Sequence, residues 1–219
     1  MPKRLKLMHL NEHERFFQEH GERVTIKKGQ IFARKEEVHP WVYYLEEGIV
    51  QVAFSYGKGD NRLIGYFVPD MMFAQSKIFY EGDSGVLEYE AVTNMQALRV
   101  PRNDYMQEVE SNHEFCAEYR ECILHNQTYM IDRVIYQAEP NVEKKFLRWV
   151  LFMLKYYGVE RDDHQMIGLK LTQNTIADFL FVSRETVNKT LIHFVQLGIV
   201  AVEKKHIILL DEDALHAQL

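Results

Sequence analysis

The stretch that decides the fold lies near the C-terminus: LTQNTIADFLFVSRETVNKTLIHFVQLGIV, residues 171–200. It divides into two short amphipathic runs. The first has Thr172 at its N-cap position and Ile176, Ala177 and Leu180 on one face. The second has Ser183 at its N-cap and Val187, Leu191, Phe194 and Val195 on one face. A Ser or Thr hydroxyl accepts from the backbone N–H groups that a helix leaves unpaired at its start, so both residues mark helix beginnings. The joint is so short that the two helices must cross steeply, which is a helix-turn-helix. A joint of this kind usually takes glycine in the left-handed conformation. Here Phe181 stands there, at a cost of about 1 kcal/mol that packing has to offset.

With the apolar face inward, the second run presents Arg184, Glu185, Asn188 and Lys189 outward. In a helix-turn-helix the second helix enters the DNA major groove N-terminus first. These side chains suit base edges: arginine donates twice to guanine O6 and N7, glutamate accepts from cytosine N4, and lysine donates to guanine. Thr172, Gln173 and Ser183 are placed for phosphates. So are Lys204 and Lys205, inside VAVEKKHIILL (200–210), which alternates like the β-hairpin of a wing.

The chain has 219 residues and a net charge of −6, which at first argues against nucleic acid. The excess of acid lies before residue 141. Residues 164–206 hold Lys170, Arg184, Lys189, Lys204 and Lys205 against Asp178, Glu185 and Glu203, a net +2. DNA binding needs a locally basic face rather than a basic protein. Hydrophobic residues make up 47% of the chain, enough for a real core. No apolar run is long enough to span a membrane, and the N-terminus MPKRLKLMHLNEHERFF is too polar for a signal peptide, so a cytoplasmic protein with no membrane partner is expected.

Upstream, a short helix is expected around residues 11–20. Short β-rich runs then alternate with turns at Glu47-Gly48, Gly57-Lys58-Gly59-Asp60 and Pro69-Asp70, the pattern of a β-sandwich or barrel-like roll. From Ser111 to about Ala138 the period becomes helical, with Phe115, Tyr119, Cys122, Ile123, Met130 and Val134 in the seam and Asn126 and Gln127 interrupting it. A helix of about 40 Å outreaches a small β-domain, and it reads as a dimer helix packing on its copy. Pro140 breaks it and Asn141 caps the next helix. The expected division is residues 1–110 as sensor domain, 111–138 as dimerisation helix and 139–219 as DNA-binding domain.

Taken together, these features resemble the Crp/Fnr family of bacterial transcription regulators, over about Val24 to His216. VYYLEEGIVQVAF is similar to the family's β-roll strand pair, GYFVPDMMF to one of its turns, and TQNTIADFLFVSRETVNKTL to its helix-turn-helix, with SRETV intact. The resemblance implies an α+β fold: an N-terminal double-stranded β-helix (cupin-like roll), a long dimerisation helix and a C-terminal winged helix-turn-helix. It also implies a homodimer on an inverted repeat with TGTGA-like half-sites, and RNA polymerase as a partner if the protein activates. Arg184, Glu185 and Lys189 fall on the family's base-reading positions, lysine replacing an arginine and giving up its bidentate geometry.

The sensing end departs from that pattern. Where cyclic-nucleotide members hold ribose and cyclic phosphate, this chain has Phe73, Ala74 and Gln75, then Gly85 and Val86, with neither the carboxylate nor the arginine. Met130 and Ile131 replace the two polar adenine contacts. The haem ligands of the carbon-monoxide sensor fall at Phe73 and Gln75, and the cysteine cluster of the iron–sulfur members is absent, so no cofactor is expected. The region collects Phe67, Phe73, Phe79, Tyr80, Tyr89, Met130 and Ile131 instead. Two readings stay open: a filled apolar core, or a pocket for a small apolar or aromatic effector. Cyclic AMP is not the expected effector.

Cys116 and Cys122 lie six apart, about 600° around a helix, and are expected to be free thiols. His9 and His13 stand four apart, but no third ligand is near, so they read as surface histidines. No catalytic carboxylate pair, nucleophile elbow, P-loop or metal quartet occurs, so an enzyme is not expected. The competing function is a cyclic-nucleotide-like small-molecule sensor or interaction module whose helix-turn-helix does not read DNA.

Overall fold

The structure is a computed structural model and describes residues 10–34, 39–55, 61–74 and 87–219. Contacts divide the described chain into two units, residues 10–122 and 123–219, with the division inside a continuous helix.

The first unit opens with helix α1, Asn11–His20, as the sequence suggests. Eight strands follow: β1 Glu22–Ile26, β2 Ile31–Ala33, β3 Trp41–Glu47, β4 Val50–Ser55, β5 Asn61–Phe67, β6 Met72–Phe73, β7 Leu87–Ala91 and β8 Met95–Pro101. They form two antiparallel four-stranded sheets, in the orders β1-β8-β3-β6 and β2-β7-β4-β5. Between them lie Tyr43, Leu45, Val50, Val52, Phe73 and Tyr89, all buried. Gly48 turns β3 into β4 at φ +98°, where a β-carbon would come within 2.6 Å of the Asn94 carbonyl oxygen, so only glycine fits.

One element was not expected: residues Arg102–Ser111 form helix α2 rather than more of the roll. Its single buried side chain, Tyr105, gives a weak periodic signal among polar residues. Asn112 then accepts from the backbone N–H groups of Glu114 and Phe115 and so starts helix α3, His113–Ala138.

The expected seam of α3 splits into two parts. Phe115, Tyr119 and Cys122 are buried in the first unit, where Phe115 stacks on His13 at 3.7 Å and meets Phe16 and Tyr105. They are core rather than a surface for a second copy. Beyond Cys122, Leu124, Met130, Ile131, Val134 and Ile135 are exposed. His13 also departs from expectation. It is fully buried, with Nδ1 2.9 Å from Glu118 Oε2 and Nε2 3.2 Å from the Tyr105 hydroxyl. His9 lies outside the described residues. Both thiols are free, Cys116 half-buried and Cys122 buried. Burial, with Glu118 and Glu121 adding, pushes the Cys122 thiol up to about 12, so it stays protonated at neutral pH.

The second unit holds the rest of α3, then helix α4, Val142–Tyr157, whose cap Asn141 accepts from the N–H groups of Glu143 and Lys144. A sheet follows from β9 Gly158–Arg161, β10 His164–Ile167, β11 Val200–Glu203 and β12 His206–Leu209, in the order β11-β12-β10-β9. Between β10 and β11 run helices α5, Gln173–Leu180, and α6, Arg184–Gln196; α7, Glu212–Ala217, closes the chain. Among the described residues no helix is long and apolar enough to cross a membrane.

Candidate nucleic-acid interface

Both expected caps are in place. The Thr172 hydroxyl accepts from the Thr175 N–H at 3.1 Å and starts α5; the Ser183 hydroxyl accepts from the Thr186 N–H at 3.1 Å and starts α6. Ile176, Ala177, Phe179 and Leu180 on α5 and Val187, Thr190, Leu191 and Phe194 on α6 are buried. Val195, expected with them, is instead 42% exposed, because its position on the helix turns it away from the packed face. Under the pair lies α4: Phe146 stacks on Phe194 at 5.7 Å and Trp149 meets Phe179 at 6.1 Å.

Phe181 adopts φ 58°, ψ 42°, the left-handed joint that the sequence demands. Packing at this corner comes from α3. The buried Arg133 places its guanidinium 5.5 Å from the ring centres of both Phe179 and Phe181, and donates to the Tyr136 hydroxyl at 2.9 Å. A guanidinium over aromatic faces is attracted by their quadrupoles, about 0.5–1 kcal/mol and more when desolvated. The Gln137 amide donates to the Phe179 carbonyl. Sequence reading missed both residues, since on α3 they read as ordinary polar positions. The signal for them is the bulky residue at 181, whose strain calls for a compensating contact.

Arg184, Glu185 and Lys189 stand exposed on α6, opposite its buried face, and Asn188 is half-buried beside them. Lys189 Nζ lies 3.0 Å from Glu185 Oε1, an exposed pair that holds both side chains only weakly. Gln173 does more than wait for a phosphate: its Nε2 donates to Asn188 Oδ1 at 2.7 Å, and its Oε1 accepts from Arg184 Nε at 3.4 Å.

The β11–β12 hairpin turns through Lys204 (φ 48°) and Lys205 (φ 72°), so both lysines occupy the tip of the wing. The Lys205 carbonyl accepts from the Leu171 N–H at 2.8 Å and ties that tip to the start of α5. A groove of about 450 Å³ results, in whose walls Thr172, Gln173, Arg184 and Lys205 meet. Residues drawn from three elements thus line one groove.

The effector candidates are described only in part. Phe73, Ala74 and Tyr89 are buried in the roll, where Phe73 stacks with Tyr43 at 4.9 Å and Tyr89 at 6.0 Å and meets Phe67 at 5.3 Å. Gln75, Phe79, Tyr80, Gly85 and Val86 lie outside the described residues. Met130 and Ile131 belong to the second unit and are exposed. Among the described residues no group of histidines, cysteines and carboxylates could hold a metal ion.

Comparison with known proteins agrees with this architecture. Residues 145–218 match the family model of the Crp-like helix-turn-helix domain. A CRP-like cAMP-activated global transcriptional regulator of Mycobacterium tuberculosis is 21% identical over 192 residues, covering 88% of this chain and 85% of the relative. FixK2 from Bradyrhizobium japonicum superposes with a TM-score of 0.76 at 17% identity, over 90% of this chain and 96% of that one. A mutant of CooA from Carboxydothermus hydrogenoformans superposes with a TM-score of 0.81 at 15% identity, over 98% and 97%.

Proposed function

We propose that this chain, which carries a Crp-like helix-turn-helix domain on the fold of the Crp/Fnr regulators, is a sequence-specific DNA-binding transcription regulator that acts as a homodimer in the cytoplasm. The observation that carries the reading is the exposed set Arg184, Glu185 and Lys189 at the start of α6, flanked by Thr172, Ser183, Lys204 and Lys205. The first set supplies donors and acceptors for base edges. The second supplies hydroxyls, helix starts and ammonium groups for phosphates. The exposed α3 stripe Leu124, Ile131, Val134 and Ile135 supports the dimer, and two-fold symmetry then requires an inverted repeat with half-sites about one helical turn apart. RNA polymerase is a further partner if the protein activates.

Selection from random duplexes by mobility shift tests this. The expected result is an enriched inverted repeat with G·C pairs in each half; no enriched repeat, with the purified or the extract-treated protein, overturns the reading. Within the selected site, Arg184→Ala is expected to cost about 1–3 kcal/mol and relax one base pair, whereas Lys205→Ala weakens all sequences alike.

The effector is not cyclic AMP, although the Mycobacterium tuberculosis relative is cAMP-activated by name. A cyclic phosphate is a full charge, costly to bury unpaired. The stretch Ser84-Gly85-Val86-Leu87-Glu88-Tyr89 supplies no cation for it, and Met130 and Ile131 supply no hydrogen bond to adenine. The aromatic surroundings of Phe73 and Tyr89 suit an apolar or aromatic molecule better. Calorimetry is expected to show no binding of cyclic AMP tighter than about 10 μM.

A further inference from the structure

Asn188 lies one helical turn beyond Arg184 on α6, and Gln173 opens α5 beside both. The two amides face each other end to end, so each could in principle present its oxygen or its nitrogen. Arg184 decides which. A guanidinium has donors and no acceptor. The Gln173 atom that meets Arg184 Nε, at 3.4 Å, must therefore be the oxygen. The Gln173 nitrogen is then turned to Asn188, and because a nitrogen of this kind only donates, the Asn188 atom 2.7 Å away must be its oxygen. The Asn188 amide nitrogen is then the end turned away from Gln173.

We infer from this relay that Gln173 is a positioning residue of the DNA site and that Asn188 is a specificity residue whose amide is held in one orientation, its oxygen turned to Gln173. The inference rests on the DNA-reading role proposed above. A free asparagine selects adenine with both ends of its amide, accepting from N6 and donating to N7. Held by Gln173, Asn188 keeps its oxygen turned to that residue, and its nitrogen is the end left to meet a base. It meets guanine O6 or N7, thymine O4 or adenine N7, but finds no acceptor on cytosine N4. The same relay engages Arg184 through Nε and leaves its two terminal nitrogens for a guanine. Adjacent positions are thereby read by one coupled unit: a guanine under Arg184 and a base that is not cytosine under Asn188.

The test is the random-duplex selection, run in parallel on the unmodified chain, Asn188→Ala and Gln173→Glu, with thermal melts to show that each variant folds. The unmodified chain is expected to deplete cytosine at one position per half-site by roughly three- to tenfold, the range of a single hydrogen bond. Asn188→Ala is expected to erase that depletion and leave the rest of the repeat intact. Gln173→Glu is the sharper variant. Both glutamate oxygens accept, so Asn188 must turn its nitrogen inward and its oxygen outward, and the preference at that position inverts toward cytosine N4 or adenine N6. If Asn188→Ala selects the unmodified motif at every position, or if Gln173→Glu keeps the cytosine depletion, the relay does not set specificity, while the DNA-reading role stands. If the unmodified chain enriches no repeat, the DNA-reading role itself fails, and the relay with it.

Discussion

Phe181 shows how one residue ties local strain to the interface. Its left-handed backbone costs a residue with a β-carbon about 1–2 kcal/mol. The ring offsets part of this by lying against Arg133. Phe181→Gly and Phe181→Ala lose the same ring, so their difference isolates the backbone. Glycine ordinarily destabilises relative to alanine by about 0.5–1 kcal/mol through unfolded-chain entropy. Here the order is expected to reverse, with Phe181→Gly more stable by up to about 1 kcal/mol in urea unfolding; an alanine variant more stable than the glycine variant would contradict the account. The strain at 181 was legible in the sequence, because cap spacing alone fixes where the joint falls. The compensating Arg133 was not, since nothing local in α3 signals which distant side chain a polar residue will cover.

Among elements, α1 and the start of α3 are joined by a buried polar link that local pattern could not reveal. Leu10 offers α1 no side-chain cap. Glu118 supplies one from α3, accepting from the N–H groups of Glu12 and His13, while the His13 ring donates to the same carboxylate. Burial holds the His13 imidazole below its ordinary value of 6.5, more than its bond to Glu118 and that group's charge raise it. The folded chain therefore takes up this proton later than the unfolded chain as pH falls. The stability that neutral His13 contributes is complete above about pH 6.5 and is lost as pH drops toward the folded value, at no more than about 1.4 kcal/mol per pH unit. Burial raises the Glu118 carboxyl, but the backbone N–H of Glu12 and the contacts from His13 outweigh it and hold the group below its usual 4.5, so its own loss lies at lower pH, outside this window. Urea unfolding at pH 7.5 and 5.5 is expected to show lower stability at pH 5.5, and His13→Gln is expected to flatten that fall. Some slope should survive, because burial, with Lys155 adding, also lowers His125. An undiminished slope in His13→Gln would remove His13 from the account. The strands, α1, α4 and the helix-turn-helix were all readable from period, turn residues and caps. Helix α2 was not, because one buried tyrosine among polar residues carries almost no period.

At the scale of the whole molecule, the second half of α3 leaves Leu124, Ile131 and Val134 exposed at 62%, 52% and 62%. Leu124, Ile131 and Ala138 recur every seven residues, with Gln127 and Val134 between them, the spacing that the proposed dimer would need for a two-stranded coiled-coil seam with one polar interruption. Ile131→Glu would bury a carboxylate against its own copy, and sedimentation is expected to show monomer at concentrations where the unmodified chain is a dimer. An unmodified chain that sediments as a monomer at every concentration would remove the dimer. Sequence alone placed a dimer helix here but ran its seam back through Phe115, Tyr119 and Cys122, which fill the core of the first unit instead. One helix carries a buried apolar set and an exposed one, and period alone does not distinguish them. The most direct test of the central claim is competition fluorescence anisotropy at about 0.15 M salt, between a duplex carrying the inverted repeat the protein selects and a scrambled duplex of equal length. A preference of about a thousandfold or more for the repeat is expected, with two chains per duplex. Equal affinity for the two duplexes would contradict it.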